Sequence, residues 1–309
     1  MEKNIALTGG AVLVVLVCCL IKNSAREKFA NWLNGNVWRI WLLPISLLAY
    51  NLILMKVTHT WQENDFMLLV GYFAAPTLAV FFYSLTPFGK EKSNLVPLIV
   101  ILLLWLPVEL KFVFQSWKVG GASYPFITAC AIIYVLLVLT AFAESKICLT
   151  WHWSKDDLKL FGKTFLLLTA LIVPVALFTG FIKCGISPSA TKYPYLWPLV
   201  LVAIWFAPAL AEELIFRAGI QNTLIKWFGE DIGWVAASLI FGLSHANNKT
   251  RTREVLPNWE YVFFATIAGF AYGWVYKKRK AAGSRNALGT SALLHALVDF
   301  TWVTIFAGE

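Results

Sequence analysis

The chain has 309 residues, of which 59% are hydrophobic and 14% are charged. A soluble globular protein is about half apolar and about a quarter charged, so this composition excludes an ordinary soluble domain. The formal net charge of +9 comes mostly from Lys and Arg in short connections between apolar blocks. There these residues orient helices in a membrane, so the positive charge does not indicate a nucleic-acid partner.

Apolar blocks recur along the whole chain and predict about ten spanning helices of ~20 residues each. The fold class is therefore all-α, a polytopic membrane protein. In chain order, the predicted segments are residues 4–21, 37–57, 66–88, 94–117, 124–144, 162–182, 195–218, 231–247, 258–276 and 287–306. The first block has a single Lys before it and no small-residue cleavage site after it, so we interpret it as a retained helix.

Three charged side chains interrupt the apolar surroundings of the seventh segment, namely Glu212, Glu213 and Arg217. A charge near the bilayer centre costs from ~2.5 to more than ~10 kcal/mol. Arg217 follows Glu213 by four residues, so the two share a helix face and are predicted to form an ion pair. Glu212 projects about 100° away from that face, which makes it a candidate general base or acid.

Two of the four histidines lie in apolar segments after the glutamate pair. His245 follows Phe241 by four residues and His295 precedes Asp299 by four, so each pair shares a helix face. Such groups could serve three kinds of chemistry. A carboxylate, assisted by an imidazole, could activate a water that hydrolyses an amide; the same groups could bind a metal or form a proton relay in a transporter. The sequence contains neither HExxH nor GxSxG, so a zincin and a serine nucleophile are not supported.

Lys and Arg are more frequent in the loops after odd-numbered segments, which favours a cytoplasmic position for those loops. On that topology Glu212 lies ~9 Å and His295 ~12 Å from the cytoplasmic helix ends, whereas His245 lies ~20 Å away, at ~1.5 Å per residue. Glu212 and His295 are therefore expected to meet. His245 reaches them only if the predicted start of its helix at residue 231, the tilt of that helix or the side assignment is wrong.

The order Glu-Glu-x-x-x-Arg, Phe-x-x-x-His and His-x-x-x-Asp, each on an apolar helix, resembles the three motifs of the CPBP family, also called ABI. This family contains CAAX prenyl endoproteases and bacterial bacteriocin-processing or self-immunity proteins. The resemblance covers roughly residues 195–303. It divides the chain into N-terminal accessory transmembrane helices (residues 1–160) and a CPBP-like catalytic transmembrane core (residues 161–309).

The resemblance implies an intramembrane endopeptidase of the glutamate type. Glu212 and His245 would position and activate the water, and His295 with Asp299 would stabilise the oxyanion. The supporting residues that would hold the site in shape are Glu213, Arg217 and Phe241.

Asp299 departs from the prenyl endoproteases, which usually have Asn there. An ionised Asp cannot donate a hydrogen bond, so Asp299 is either protonated or orients His295. No cofactor is expected. The alternative is zinc held by Glu212, His245 and His295 with an open position for water, as in catalytic zinc sites.

The implied partners are the lipid bilayer and a membrane protein or peptide substrate that is membrane-associated, lipid-anchored or sorted by its C-terminus; no nucleic acid is expected. The implied location is a membrane, as a multi-pass protein of a prokaryotic plasma membrane. Three alternatives stay open: a non-catalytic scaffold or bacteriocin immunity protein, a zinc-dependent protease, and a proton-coupled transporter. Many transporters contain internal repeats, and none is seen in this sequence.

Overall fold

The structure is a computed structural model that describes residues 2–86, 92–110, 124–249 and 256–306. Within these ranges the chain forms helices and no β-strand, which confirms the all-α prediction. The predicted ends of the third and fourth spanning segments, residues 87–88 and 111–117, lie outside the described residues.

Twelve helices follow one another in the described ranges. They are α1 (Glu2–Ile21), α2 (Asn23–Asn34), α3 (Val37–Val57), α4 (Glu63–Leu85), α5 (Leu95–Glu109), α6 (Tyr124–Phe142), α7 (Lys155–Phe178), α8 (Pro188–Lys192), α9 (Pro194–Phe228), α10 (Glu230–Leu243), α11 (Trp259–Ala281) and α12 (Ala287–Ile305).

Five of these helices are long and apolar enough to cross a membrane: α3, α4, α7, α9 and α12. The number is six if α1 and α2, which meet at an angle of 93°, form one broken span. An integral membrane protein is thus supported, but the predicted count of about ten spans is not confirmed. Among the described helices, α5 and the described part of α6 are apolar but short, and α10 has 14 residues.

The chain forms two compact units, Met1–Ile147 and Cys148–Glu309. The functional division predicted at residue 160 stays a prediction. In the first unit, a buried arginine stabilises the bend between α1 and α2. Arg26 Nη1 donates to the carbonyl oxygen of Leu20 at 2.9 Å, and its Nη2 donates to Asn23 Oδ1 at 2.7 Å. A cation at this position complements the negative end of α1.

In the second unit, a charged network ties the start of α7 to the end of α11. Ser154 and Asp157 form a reciprocal cap in which each side chain accepts from the other's backbone N–H. This arrangement satisfies two of the free donors of the first helical turn. The same Asp157 carboxylate accepts from Arg279 Nε at 2.5 Å and from Ser284 Oγ at 2.8 Å.

Helix α10 turns back along α9 at Gly229, whose φ of +87° favours glycine. A Cβ atom on Gly233 would lie 2.3 Å from the backbone nitrogen of Ile225, so the two helices pack backbone to backbone near the turn. On the other side of α10, a Cβ on Gly242 would lie 1.8 Å from Thr266 Oγ1 of α11. Glycine at these two positions allows α9, α10 and α11 to approach closely.

Candidate active site

The glutamate pair lies in a distorted part of α9. Glu212 and Glu213 form a short α-helical stretch between two π-helical stretches, Trp205–Ala209 and Leu214–Gln221. Pro208 lies in the first of them and lacks the N–H that a regular helix requires. Single-turn π-bulges frequently mark functional sites, because they change the direction in which neighbouring side chains point.

Glu213 is fully buried, and its carboxylate accepts hydrogen bonds from three side chains. Arg217 Nε lies 3.0 Å and Ser291 Oγ 2.6 Å from its Oε2, and His295 Nδ1 lies 3.1 Å from its Oε1. The ion pair predicted from the spacing of Glu213 and Arg217 is therefore present. It also contacts His295, so the pair is joined directly to one of the predicted catalytic residues.

Phe241 lies at the centre of the cluster and is buried. The Arg217 guanidinium lies over its ring, 5.0 Å from the centroid, which is a cation–π contact. The imidazole centroids of His245 and His295 lie 4.8 and 5.7 Å from the same ring. Phe241 thereby contacts the buried arginine and both imidazoles through one ring.

His245 lies just after α10, and one of its ring nitrogens is held by the backbone. Its Nδ1 lies 2.9 Å from the carbonyl oxygen of Phe241. A carbonyl oxygen can only accept, so a hydrogen bond there requires the proton on Nδ1 and leaves Nε2 as an acceptor in the neutral ring. Nε2 lies 4.0 Å from Glu212 Oε2.

The contact between His245 and Glu212 shows that the expected distance of ~9 Å from Glu212 to the cytoplasmic end of its helix is too short. The error lies in the predicted end of the seventh segment at residue 218, because α9 continues to Phe228. With the turn at Gly229, Glu212 precedes the turn by about as many residues as His245 follows it. Two helices that pack side by side from a common turn bring such residues to the same level.

His295 completes the cluster from α12. Its Nε2 lies 3.8 Å from Glu212 Oε2 and 3.5 Å from Asp299 Oδ2. The side chains of Glu212 and Asp299 are 24% and 35% exposed, whereas His295 is almost completely buried. All the residues predicted from the three motifs therefore lie in one cluster, with two partly accessible carboxylates beside the Nε2 atom of His295.

Three residues of the cluster were missed by the sequence reasoning: Ser291, Tyr261 and Tyr272. Ser291 lies one turn before His295 and bridges Glu213 Oε2 and the carbonyl oxygen of Tyr272, at 2.6 and 2.9 Å. The tyrosine rings stack on the two imidazoles. A serine four residues before His295 is a signal that could have been read from helix periodicity.

A cavity of about 90 Å³ adjoins the cluster in the second unit. The two histidines and Asp299 line one part of it, and the rest of the wall comes from α7, α11, α12 and the segment after α7. This wall is mostly apolar and includes Phe165, Leu168, Ile172, Phe264, Ala268 and Val298. The cavity is large enough for an apolar side chain beside Asp299.

Among the described residues, no three His, Cys, Asp or Glu side chains form a group that could hold a metal ion. The three groups of the zinc alternative are Glu212, His245 and His295, and the two imidazole Nε2 atoms lie 4.0 and 3.8 Å from the glutamate oxygen.

Comparison with protein families gives a match to the Type II CAAX prenyl endopeptidase Rce1-like family over residues 194–301. The match confirms the CPBP/ABI resemblance over that part of the chain, which contains α9 to α12 up to residue 301 and every residue of the three motifs. No curated protein and no solved structure gives a significant match.

Proposed function

We propose that this chain is an intramembrane endopeptidase in which a glutamate activates the hydrolytic water. One observation carries the proposal: Glu212 Oε2 lies within 4.0 Å of the Nε2 atoms of both His245 and His295, in a partly accessible site. These separations are too long for direct hydrogen bonds. They match the span of one water that bridges a carboxylate and an imidazole. Oε2 itself is buried although the Glu212 side chain is 24% exposed, so the water enters with a small movement of that side chain.

The activation step uses Glu212 and His245 in different ways. His245 presents an unprotonated Nε2, because its Nδ1 proton is directed at the Phe241 carbonyl oxygen. A water between the two groups donates one hydrogen to each of them. As its oxygen bonds to the carbonyl carbon of the substrate, a proton passes to Glu212. General-base assistance of this kind contributes typically ~10²–10⁴-fold to the rate.

The oxyanion of the tetrahedral intermediate needs a donor, and His295 supplies it. Its Nδ1–H is directed at Glu213, so only the doubly protonated ring offers a second N–H at Nε2. Glu213 and Asp299 flank this ring on its two nitrogens and stabilise its positive charge. In this proposal Asp299 remains ionised and acts through His295, where the prenyl endoproteases usually carry a donor amide.

Collapse of the intermediate completes the reaction. The carbon–nitrogen bond breaks as Glu212 returns its proton to the departing amide nitrogen. The products are a new carboxylate and a new amine, and Glu212 is again ionised. No covalent bond to the enzyme is formed in this sequence of steps.

The apolar cavity supports a membrane-associated peptide or protein as substrate. It lies directly beside His245, His295 and Asp299, so it would take an apolar residue next to the scissile bond. The name of the matched family points to a CAAX-type C-terminal segment, and a lipid-anchored or C-terminally sorted protein fits the same site. We propose that the reaction takes place at the plasma membrane of a prokaryote. In this proposal α10 and α11 also lie inside the bilayer, and these two helices would account for part of the ten predicted spans.

We further propose that the enzyme needs no metal. Zinc ligands lie about 2.0–2.2 Å from the ion, and the described residues contain no group of three donors in such an arrangement. Exhaustive chelation should leave cleavage unchanged in protein that contains sub-stoichiometric zinc. Activity that is lost on chelation and restored by zinc alone would require the zinc-dependent alternative instead.

Substrate trapping tests the proposed function. Membranes that contain the Glu212→Gln variant should retain an uncleaved protein in crosslinked complexes, and wild-type membranes should show its two fragments. Glu63→Gln, an exposed glutamate at the start of α4, is the matched control and should process the substrate normally. If Glu212→Gln processes the captured protein as well as wild type does, the chain acts as a scaffold or immunity factor rather than as this enzyme.

A further inference from the structure

Helix α11 carries none of the motif residues, yet two of its tyrosines lie flat against the two imidazoles. The rings of Tyr261 and His245 are 5.1 Å apart with an interplanar angle of 21°. The rings of Tyr272 and His295 are 4.6 Å apart with an angle of 19°. Both contacts are stacked, so a tyrosine ring packs against one face of each imidazole.

The spacing of the two tyrosines explains how one helix contacts both histidines. Residues 261 and 272 are separated by close to three turns at 3.6 residues per turn, so they share a face of α11. The first of them is fixed close to His245 by Asn258. Asn258 N–H donates to the Ala246 carbonyl oxygen at 2.7 Å, and its Oδ1 accepts from Tyr261 N–H at 3.0 Å. The segment that carries His245 is therefore joined to the first turn of α11.

A stacked ring supplies a constraint that the hydrogen bonds at the imidazoles do not. In each histidine the protein bonds to Nδ1: through the Glu213 carboxylate in His295, and through the Phe241 carbonyl oxygen at 2.9 Å, with Ser244 Oγ at 3.1 Å, in His245. These bonds fix the direction of Nδ1 but allow the ring plane to rock about it. The tyrosine face sets the plane, and with it the point at which Nε2 is aimed.

Tyr261, which stacks on His245, also packs against two other aromatic rings. Trp302 of α12 stacks on Tyr261 with centroids 5.2 Å apart and an angle of 28°, and Phe181 meets Tyr261 edge to face at 5.7 Å. Tyr272 is buried, and its carbonyl oxygen lies 2.9 Å from Ser291 Oγ, whose one hydroxyl proton is shared with the closer Glu213 carboxylate. Both tyrosines are thus held in place independently of the histidines.

We propose that Tyr261 and Tyr272 are positioning residues that set the planes of His245 and His295 through their ring faces and not through their hydroxyl groups. The inference rests on the proposed function, because it assigns the two tyrosines to the geometry of that site. It predicts an effect on the chemical step and little effect on substrate affinity. A misplacement of about 1 Å in an active site costs up to about a hundredfold in rate.

The test compares Tyr→Phe and Tyr→Leu at each position, with Phe270→Leu as the matched control. Phe270 is an aromatic residue of α11 that packs edge to face on Trp234, away from the cluster. The probe is a prenylated CAAX-type peptide in proteoliposomes. Tyr→Phe variants should keep kcat within about threefold of wild type, and Tyr→Leu variants should lose tenfold to a hundredfold in kcat with KM within about twofold. The control should match wild type.

Each contrary result overturns a stated part of the inference. Loss of activity in Tyr→Phe would make the hydroxyl the functional group, and unchanged kcat in Tyr→Leu would remove the positioning role. A rise in KM alone would make the tyrosines substrate contacts. If Tyr272→Leu does not fold, the Tyr261 variants carry the same test.

A second readout separates this inference from the proposed function. The chain has four histidines, so selective ¹³C labelling of their rings gives simple spectra. Tyr→Leu should remove the ring-current shift from one imidazole and broaden its signals, whereas Tyr→Phe should preserve both. The imidazole signals do not depend on cleavage. Wild-type protein that leaves the peptide intact would therefore overturn the CAAX-type substrate of the proposed function, and unaltered imidazole signals in Tyr→Leu would overturn the positioning role.

Discussion

Removing the charge of Glu213 should destabilise the second unit strongly. The carboxylate is fully buried and accepts from Arg217, Ser291 and His295 at 3.0, 2.6 and 3.1 Å. Glu213→Gln preserves the size of the side chain but replaces one acceptor oxygen with an amide that can only donate. Whichever way the amide points, its NH₂ group faces a donor, and Arg217 keeps an uncompensated buried charge.

The size of the effect follows from the burial of both partners. Breaking a buried ion pair by removing one partner costs about 3–5 kcal/mol. We therefore expect Glu213→Gln to lower the free energy of unfolding by about 3–5 kcal/mol. For Arg217→Met the loss in free energy of unfolding should be near the lower end of this range, at about 3 kcal/mol. Glu213 then still has two other side chains that donate to it, Ser291 and His295. The loss of unfolding free energy in the double variant should be smaller than the sum of the two single losses by about 2 kcal/mol or more, because residues in contact are coupled.

Reversible unfolding of purified protein in mixed detergent micelles measures these differences. Glu230→Gln and Lys277→Met form the matched control cycle, because their side chains are 3.8 Å apart and Glu230 is 72% exposed. Exposed ion pairs contribute little to stability, so this cycle should show almost no coupling. Equal coupling in the two cycles, or a loss below about 1 kcal/mol for Glu213→Gln, would refute the assigned role of the buried network.

The remaining predictions concern cleavage. Purified Glu212→Ala and His245→Ala should unfold like wild type but leave the substrate intact, and full activity in either variant would exclude the proposed water activation. Asp299→Asn should cleave the substrate within about tenfold of the wild-type rate, because an amide can donate to the oxyanion. Asp299→Leu should lower kcat by ~10²–10³-fold. Equal rates in the two variants would show that residue 299 does not contribute to catalysis. Ala268→Phe should narrow the cavity. It should therefore raise KM more for a peptide with a bulky apolar residue beside the scissile bond than for a peptide with Ala there. An equal increase in KM for both peptides would show that the substrate does not bind in this cavity.

Helix periodicity was sufficient for contacts within one helix. The spacing of four residues correctly paired Glu213 with Arg217 and brought His295 close to Asp299. It failed at the end of α9, because the polar residues that follow Arg217 suggested a loop. In the structure, Gln221 donates to the Gly273 carbonyl oxygen. This amide donor is satisfied within the protein, as is the Asn222 amide that donates to the Tyr276 hydroxyl at 2.8 Å, so the helix continues past residue 218.

Apart from the meeting of Glu212 with His295, contacts between helices could not be predicted from the helix boundaries, and they decide the shape of the site. The distance from His245 to Glu212 depends on the close approach at Gly233 and on the turn at Gly229. The tyrosines were missed because an uncharged aromatic residue in an apolar helix is ordinary in a membrane protein. Their role depends on which face of α11 meets the cluster, and only the packing of α10 and α12 determines that.

The most direct test of the central claim is a single-turnover cleavage assay in ¹⁸O-labelled water. Wild-type protein and Glu212→Gln are reconstituted into liposomes with the substrate captured by the Gln variant, and the products are weighed by mass spectrometry. Wild type should release two fragments, with one ¹⁸O in the new carboxylate and no fragment attached to the enzyme. Glu212→Gln should bind the substrate and leave it whole. Cleavage by Glu212→Gln at the wild-type rate, or a substrate fragment covalently bound to the protein, would contradict a mechanism in which Glu212 activates water.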